Sequence, residues 1–483
     1  MKRILYLLTG IALTGLVNAC KPDLEAPAAS AGDAKLDFSK YAAFGDYHTA
    51  GYMNGGVSRE SQQYAYPNIL AQQFALIGGP TQFNQPYFNS PTPSVMELKG
   101  FENGQPVITG GEEMMKFIYS GCNPSTQLGP YERYSNSNEE TNALQNFGVP
   151  GLKINQFKQT SLNAGNPFYQ RLLAPSDNST YQAIAARSNP TFFTLWVGIS
   201  DIISYASSGG TCGNINQLHE TTYKNEVAGL LDSLSRIRKQ ENNKFASTRP
   251  GVILNLPSVK QFAFARLVPD PTILQKKIQQ ENNNSEIFIW VDKKRTPFVG
   301  VRDVVKISFD DVLLAKGLKN LNRRDPALDT RNVNGVDVIV PHGLSELNPL
   351  TNEEVLDATE VGELDTRTSK INTNIKELLY NTVVPAANPT AYSKKVIIAD
   401  VKGLFDQLQR GINYNGTKFS LDPITGGFYS LDNFSLTPRG QALVANCIIQ
   451  ALNSPVVTNP DATGFGTKIP EVNVNAYPAF KLP

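Results

Sequence analysis

The segment FGDYHTAGYMNGG, at residues 44–56, places a phenol and an imidazole side by side where a short apolar strand passes into a helix. A nucleophile in the first turn of a helix is favoured by the positive end of the helix dipole. Tyr47 is a poor nucleophile, because its bulky phenol keeps its proton up to a pH of about 10. His48 follows it directly, and consecutive residues of a helix point in different directions. We therefore do not expect these two side chains to act as a nucleophile and its base.

The histidines of the chain are His48, His219 and His342. They are too scattered along the sequence to indicate a common site, and no Cys/His cluster has the spacing of metal ligands. We therefore expect no metal site and no cofactor.

The elements that must position these residues alternate between strands and helices. The segment 36–46 is predicted to end in a short strand, and further strands are predicted at 143–149, 190–198, 250–257 and 394–401. Helices are predicted at 66–76, 225–240 and 436–453. The apolar run PTFFTLWVG (190–198) is typical of a strand that is buried on both faces of a parallel sheet. Thr437 is expected to cap the last helix, with Pro438 in its first turn. The pattern predicts an α/β fold with a parallel central sheet.

Two long insertions interrupt this alternation, at about 78–142 and about 258–393. Insertions of this size are expected to build a wall over the carboxyl ends of the strands, where ligands bind in open α/β sheets. The final segment, 454–483, is rich in Pro, Asn and Val and is expected to wrap the surface as extended chain.

Composition limits the class of protein. Of 483 residues, 41% are apolar and 18% are charged, which is typical of a globular protein. The formal net charge is +1, and no concentrated basic stripe is present. A nucleic-acid partner is therefore not expected.

The first residues have the features of an export signal. Lys2 and Arg3 precede an apolar run from Ile4 to Val17, and Asn18-Ala19 leads into Cys20. This run is too short to span a membrane stably and has the flanks of a signal peptide. The pattern resembles a bacterial lipoprotein signal, with cleavage after residue 19 and lipid carried by Cys20. The alternative is an ordinary secretory peptide with an incidental cysteine.

Residues 20–37 are then expected to form a lipidated flexible tether, because 21–35 are rich in Ala, Pro and acidic residues and lack an apolar period. The acidic residues Asp23 and Glu25 could help to direct the protein to the cell surface. Export implies an oxidising compartment. Cys122 and Cys212 both lie in Gly-rich loops and either pair or stay free, whereas Cys447 is expected to be a buried free thiol.

Four blocks carry a resemblance to a known family. In chain order they are FGDYHTAGYMNGG (44–56), NFGVPG (146–151), TLWVGISDIISYASSGG (194–210) and YSLDNFSLTPRG (429–440). Together they resemble the GDSL/SGNH hydrolases, and more closely a group of Gram-negative lipoproteins in that superfamily. The resemblance runs from about Tyr41 to the C-terminus. It implies one three-layer, flavodoxin-like α/β domain over 38–483 and a protein anchored by lipid to the outer membrane.

The resemblance also assigns roles to five positions. The family uses a serine nucleophile, a glycine and an asparagine that hold the oxyanion, and an aspartate that orients a histidine base. Here the serine position is Tyr47, the asparagine position is Ser200 and the histidine position is Ser435, while Gly148 and Asp432 are kept. Losing the nucleophile or the base of a triad costs on the order of 10⁶ in turnover. The resemblance therefore implies that these five positions converge at one cleft and that hydrolysis by the family mechanism is lost.

Two main hypotheses for function follow. The first is a non-catalytic binding or accessory protein of the cell envelope. In one version, a pocket lined by Tyr47, Ser200 and Ser435 binds an acyl chain, a glycan or an envelope protein. In the other version, Tyr47 fills the pocket and nothing binds there. The second is an active esterase or lipase that uses an unrecognised catalytic arrangement. A third hypothesis is a surface protein whose fold is kept only for stability.

Overall fold

The computed structural model describes residues 30, 36–88, 95–102, 105–110, 144–160, 165–174, 176–211, 215–238, 245–268, 270–281, 285–292, 302–380, 395–455 and 464–479. All five positions assigned by the resemblance lie within these ranges. Residues 1–19, Cys20, Cys122 and Cys212 lie outside the described residues, so the signal peptide, the lipidation site and the disulfide stay predictions.

The strands are named in chain order. They are β1 (Tyr41–Gly45), β2 (Glu97–Glu102), β3 (Gln105–Thr109), β4 (Asn146–Gly148), β5 (Phe192–Trp196), β6 (Arg236–Arg238), β7 (Phe245–Thr248), β8 (Gly251–Leu254), β9 (Phe288–Asp292), β10 (Arg302–Lys306), β11 (Val312–Leu313), β12 (Thr330–Val333), β13 (Val336–Ile339), β14 (Val355–Leu356), β15 (Val396–Ala399), β16 (Ile412–Tyr414) and β17 (Thr417–Phe419).

A parallel sheet lies at the centre of the described part of the chain, with its five strands in the order β4-β1-β5-β8-β15. Counted along the chain, these five strands stand in the order 2-1-3-4-5, which is that of flavodoxin-like sheets. β1 and β5 are buried at every residue, as expected for continuous apolar runs with both faces covered. The predicted α/β fold with a parallel sheet is confirmed.

The helices are also named in chain order. They are α1 (Tyr47–Ala50), α2 (Arg59–Gln63), α3 (Tyr66–Ala75), α4 (Pro167–Gln170), α5 (Tyr181–Ser188), α6 (Ile199–Ala206), α7 (Glu220–Ser235), α8 (Pro271–Glu281), α9 (Ala315–Asn320), α10 (Ala358–Tyr380), α11 (Val401–Arg410) and α12 (Pro438–Asn453).

Helices flank the central sheet in two groups. Helices α3 and α11 pack against α12, and α7 packs against α5 and α10. This arrangement is compatible with a three-layer α/β fold. At the start of α12, the Thr437 side chain accepts a hydrogen bond from the Gly440 N–H, as the predicted cap requires.

The helix predicted over 225–240 is wrong at its C-terminal end. Helix α7 ends at Ser235, and residues 236–238 form β6, which pairs with β7 in an antiparallel hairpin. The pairing supplies the backbone hydrogen bonds that a longer helix would otherwise have made.

The two segments that the sequence marks as insertions differ in what they build. The described part of 78–142 contains the β2–β3 hairpin. The described part of 258–393 contains a small apolar core of its own, which includes Ile289, Leu313 and Leu350. Helix α10 lies within the same range but contacts α7 and β15, so it belongs to the helices that flank the sheet.

Cys447 lies on α12 and forms no disulfide within the described chain. Its side chain is half-buried against the main core, and burial raises the pKa of its thiol to about 12. Among the described helices, none is both long and apolar enough to cross a membrane.

Candidate functional site

The ends of three neighbouring strands bring the candidate residues together. The parallel register sets Gly45 of β1 beside Trp196 of β5 on one side and beside Gly148 of β4 on the other. β1 and β5 are also the strands at which the order of the sheet reverses, the place where open α/β sheets bind ligands. The turn that follows Gly45 carries Asp46 and Tyr47.

Two glycines let the turn after β1 approach its neighbours closely. A Cβ atom on Gly148 would lie 2.2 Å from the Ala50 backbone nitrogen, and one on Gly45 would lie 2.4 Å from the Trp196 carbonyl oxygen. Any side chain at either position would therefore push α1 away from the sheet. These glycines are needed for packing whether or not the site performs chemistry.

Tyr47 is part of the core rather than an exposed nucleophile. Its side chain is 4% exposed, and its ring centroid lies 5.0 Å from those of both Tyr52 and Phe434, with edge-to-face geometry. Burial, together with the nearby Asp46 and Asp432 charges, raises the pKa of the phenol far above its ordinary value. The phenolate that a nucleophilic role would need is strongly disfavoured.

His48 is fully buried in the core. Its Nε2–H donates a hydrogen bond to the Phe434 carbonyl oxygen at 3.0 Å, and its ring lies 4.7 Å from the Trp196 ring. Burial lowers the pKa of the imidazole to about 4, and the Phe434 hydrogen bond offsets only part of this effect. The ring is therefore neutral at physiological pH, and its Nδ1 has no hydrogen-bond partner among the described residues.

The Asp432 carboxylate is bonded to the residue that stands in place of a base. The Ser435 hydroxyl donates to Asp432 Oδ2 at 2.5 Å and also contacts the Ser430 hydroxyl at 2.7 Å. The backbone N–H groups of Gly55 and Ser435 donate to the two Asp432 oxygens at 2.9 and 2.8 Å. The carboxylate thus ties the last loop to the first turn, and no imidazole stands between it and Tyr47 in this hydrogen-bond network.

The backbone N–H groups at the two positions assigned to the oxyanion site are also hydrogen-bonded. The Gly148 N–H donates to the side-chain oxygen of Asn146 at 2.9 Å, and the Asn146 amide donates in turn to the Thr49 carbonyl. The Ser200 N–H donates to Asp46 Oδ2 at 2.8 Å. An incoming carbonyl oxygen would have to displace Asn146 before it could use the Gly148 N–H.

Two acidic side chains beside this centre are fully buried. Burial raises the pKa of Asp46 and of Asp201 to about 7, and hydrogen bonds from the Ser200 N–H to Asp46 and from the Ile154 N–H to Asp201 only partly oppose this. Each carboxyl group keeps one oxygen without a partner among the described residues. Both are therefore partly protonated near neutral pH.

The expected residues converge, but they do not line an open pocket. Ser200 is 1% exposed and Ser435 is fully buried, so the expected pocket lined by Tyr47, Ser200 and Ser435 is not open within the described chain. A cavity that Gly148, Ala50 and Val57 help to line has a volume of only about 10 Å³. That is roughly the space of one water molecule, too little for an ester.

Sequence reasoning missed three residues that decide this geometry. The Asn146 side chain accepts a hydrogen bond from the Gly148 N–H, the Phe434 ring packs against the Tyr47 ring, and the Ser430 hydroxyl is hydrogen-bonded to the Ser435 hydroxyl. Phe434 and Ser430 flank Asp432 in the quoted block YSLDNFSLTPRG, but nothing in their types predicts which neighbours they contact. Within the described ranges, no group of three or more His, Cys, Asp or Glu side chains is arranged to hold a metal ion.

Comparisons with models of protein families, with curated proteins and with solved structures found no match for this chain.

Proposed function

We propose that this chain is an exported lipoprotein with an SGNH-type fold that no longer hydrolyses esters and that acts as a binding or accessory protein of the cell envelope. The observation that carries the proposal is the 2.5 Å hydrogen bond from the Ser435 hydroxyl to Asp432. In a working triad the aspartate orients an imidazole that takes the nucleophile's proton. Here the same carboxylate holds a hydroxyl, which cannot act as a base at neutral pH.

Three further contacts support the loss of hydrolysis. The Tyr47 ring is packed between Tyr52 and Phe434, and burial disfavours its phenolate. The Gly148 N–H is already bonded to Asn146. Loss of nucleophile or base costs on the order of 10⁶ in turnover. The family's asparagine donor is missing too, because Ser200 stands in its position, and loss of one such donor costs about 10²-fold or more.

The test of this proposal is an ester assay on the purified full chain with p-nitrophenyl acetate and butyrate. We expect no turnover above that of buffer. Saturable turnover that Tyr47→Phe abolishes would overturn the proposal and favour the alternative of an active esterase or lipase with an unrecognised arrangement.

A second assay asks whether the frame of a hydrolase persists. The variant Tyr47→Ser/Ser200→Asn/Ser435→His restores the three side chains that the resemblance assigns to the family. We expect it to hydrolyse the butyrate ester measurably. The matched control carries Ser435→Asn in place of Ser435→His, which leaves the site without a base and should stay inactive. Equal rates in the two triple variants would contradict a triad-based frame.

The lipid anchor is tested separately. The full-length chain, expressed in a Gram-negative host with labelled palmitate, should carry the label and sediment with the outer membrane. Cys20→Ser should abolish both labelling and sedimentation. A wild-type chain that is released without label would support the ordinary secretory peptide instead.

A further inference from the structure

A β-hairpin in the second insertion exposes apolar residues on its second strand. Asn334 and Gly335 form its turn with φ of 53° and 86°, and an Asn-Gly pair in the left-handed region is typical of a two-residue hairpin. The turn joins β12 to β13, and all four residues of β13 are exposed. Three of them, Val336, Val338 and Ile339, are apolar and are 61%, 38% and 47% exposed. An exposed apolar edge strand is a template for pairing with another strand.

Arg331 of β12 gathers further exposed apolar residues around the hairpin. It lies opposite Val338 in the register, so the two side chains share a face, which Val336 also occupies two residues earlier. The Arg331 guanidinium donates hydrogen bonds to the carbonyls of Leu328 and Leu347 at 2.9 and 3.1 Å. Both leucine side chains are 56% exposed. We call Leu328, Val336, Val338 and Leu347 the hairpin patch, and exposed apolar residues grouped in this way are typical of an interaction surface.

The outer edge of β13 presents backbone groups. β13 pairs with β12 and with no other described strand. Next to the hairpin, the Val340 N–H donates to the Asp329 carbonyl at 2.9 Å, and hydrogen-bonded positions recur at every second residue of an antiparallel pair. Val338 therefore bonds to β12, whereas the N–H and C=O groups of Asp337 and Ile339 point away from it. These groups form an unpaired edge of the described sheet.

We propose that two copies of this chain pair through their β13 edges, antiparallel about a twofold axis, with Val338 of one copy opposite Val338 of the other. Asp337 then lies opposite Ile339 of the other copy. These are the residues whose backbone groups point outward, so each Asp337–Ile339 pair exchanges both of its N–H···O hydrogen bonds. The axis is perpendicular to the sheet, so it also sets the hairpin patches of the two copies side by side.

The sequence of the strand excludes the two neighbouring registers. A pairing centred on Asp337 sets two carboxylates opposite one another, which destabilises the pair. It also needs the Gly335 N–H, which already donates to the Asn332 side-chain oxygen at 3.0 Å. A pairing centred on Ile339 sets Asp337 opposite Pro341, which has no N–H to donate. The proposed register avoids both faults.

A second copy fits this edge because β13 complements itself. Its apolar face meets the same apolar face, and its one charged residue, Asp337, meets an apolar residue, so no partner of opposite charge is required. The contact is small, because four residues of strand extend only about 13 Å, whereas a standard interface takes about 20–30 residues from each side. We therefore expect a weak dimer. The inference goes beyond the proposed function, since it assigns a partner and a surface outside the five family positions.

The experiment is sedimentation velocity on the purified full chain at concentrations of about 1–200 µM, which suit a weak interface. The weight-average sedimentation coefficient should rise with concentration toward that of a dimer, with a Kd on the order of 10–100 µM. Every variant keeps the same N-terminal segment, so differences between variants report on the hairpin. Circular dichroism establishes that each variant is folded.

Lysine substitutions at two adjacent residues test the register. Val338→Lys removes the central apolar contact and sets two ammonium groups opposite one another, so it should raise the Kd about tenfold or more. Ile339→Lys instead sets a lysine opposite Asp337 of the other copy, and it should leave the Kd unchanged or lower it by up to about fivefold. The matched control is Val305→Lys on β10, at a valine that is 39% exposed, and it should associate like the wild type.

A further variant breaks the edge without adding charge. Ile339→Pro removes an outward N–H that β12 does not use, which an edge strand tolerates. It should raise the Kd about tenfold, because each copy loses one intermolecular hydrogen bond. A Kd equal to that of the wild type would show that the backbone of β13 takes no part in the contact and would overturn the proposal.

Three other results would also overturn it. A wild-type chain that stays monomeric at about 200 µM would leave the β13 edge to a foreign strand. Equal weakening by Val338→Lys and Ile339→Lys would contradict the register, since the contact would then depend only on apolar surface. Equal weakening by Val305→Lys and Val338→Lys would show association through another surface. None of these results depends on ester turnover.

Discussion

The Ser435 hydroxyl donates a hydrogen bond of 2.5 Å to the Asp432 carboxylate. The same carboxylate accepts a hydrogen bond from the N–H of Gly55, which lies 377 positions before Asp432 in the chain. The contact joins the loop before the last helix to the turn after the first strand. A residue pair that could have served a triad thus serves as a tie between the two ends of the fold.

The first prediction concerns this tie. Ser435→Ala should lower the free energy of unfolding by about 1–3 kcal/mol, because it leaves a buried carboxylate oxygen and the Ser430 hydroxyl short of a partner. Urea denaturation followed by circular dichroism measures the change. The matched control is Ser420→Ala, which removes a similar bond to Asp422 at an exposed position and should change the free energy by about 0.5 kcal/mol or less. Equal losses would contradict a special role for the buried pair.

The second prediction concerns the ring in the nucleophile position. Tyr47→Ala should cost about 3–5 kcal/mol of unfolding free energy, since it removes a buried ring that packs edge-to-face on Tyr52 and Phe434. Tyr47→Phe is the control, because it keeps the ring and removes only the hydroxyl, and its cost should be much smaller. If Tyr47→Ala were as stable as Tyr47→Phe, the ring would not be a core residue.

The third prediction concerns the pH dependence that Asp46 creates. Burial raises its pKa from 3.8 to about 7, so the folded state binds a proton that the unfolded state has released between these values. The contribution of Asp46 to stability is therefore greatest below its unfolded pKa and is lost as the pH rises through about 7. Asp46→Asn keeps an oxygen acceptor for the Ser200 N–H and removes this loss.

The measurement is the difference in unfolding free energy between Asp46→Asn and the wild type at several pH values. The difference should move in favour of the variant by up to about 1.4 kcal/mol for each pH unit between 4 and 7. Asp337→Asn, at an exposed position of β13, is the control and should show a much flatter difference. A flat difference for Asp46→Asn as well would mean that this carboxyl group is not held in its protonated form.

The fourth prediction concerns His342, which is buried in the second insertion. Its Nε2 lies 2.8 Å from Glu354, its Nδ1 lies 3.2 Å from the Asn348 oxygen, and Asp329 is 4.0 Å away. Burial disfavours the charged ring, but the hydrogen bonds with Glu354 and Asn348 outweigh it and raise the pKa of His342 above 6.5. Stability from this group is therefore present below pH 6.5 and is lost as the pH rises through the folded pKa.

His342→Gln should accordingly destabilise the protein most in mildly acidic buffer. The loss of stability relative to the wild type, called the deficit below, should shrink as the pH rises. Thermal unfolding across this range measures the deficit, and NMR titration of the ring gives the pKa directly. His219→Gln, at an exposed histidine, serves as the control and should show little pH-dependent change. A deficit for His342→Gln that does not change with pH would show that the ring acts only by packing.

Local patterns in the sequence determined the frame of this protein. The buried segments that form β1, β5, β8 and β15 are largely apolar, as is typical of strands that are covered on both faces of a parallel sheet. The cap at Thr437 and the helix start at Pro438 are likewise set by neighbours in the chain. The C-terminal end of α7 was predicted wrongly because the competing partner, β7, lies beyond the helix itself.

Only the tertiary structure decided the state of the candidate site. The sequence shows which residue types stand at Tyr47, Gly148, Ser200, Asp432 and Ser435. It does not show their contacts, several of which are made with segments hundreds of residues away. Packing of Phe434 on Tyr47 and the hydrogen bond from the Gly55 N–H to Asp432 depend on such contacts, whereas the bond from Gly148 to Asn146 is local. Residue types tell which groups are present, whereas burial and hydrogen bonding, which set what those groups can do, are properties of the assembled fold.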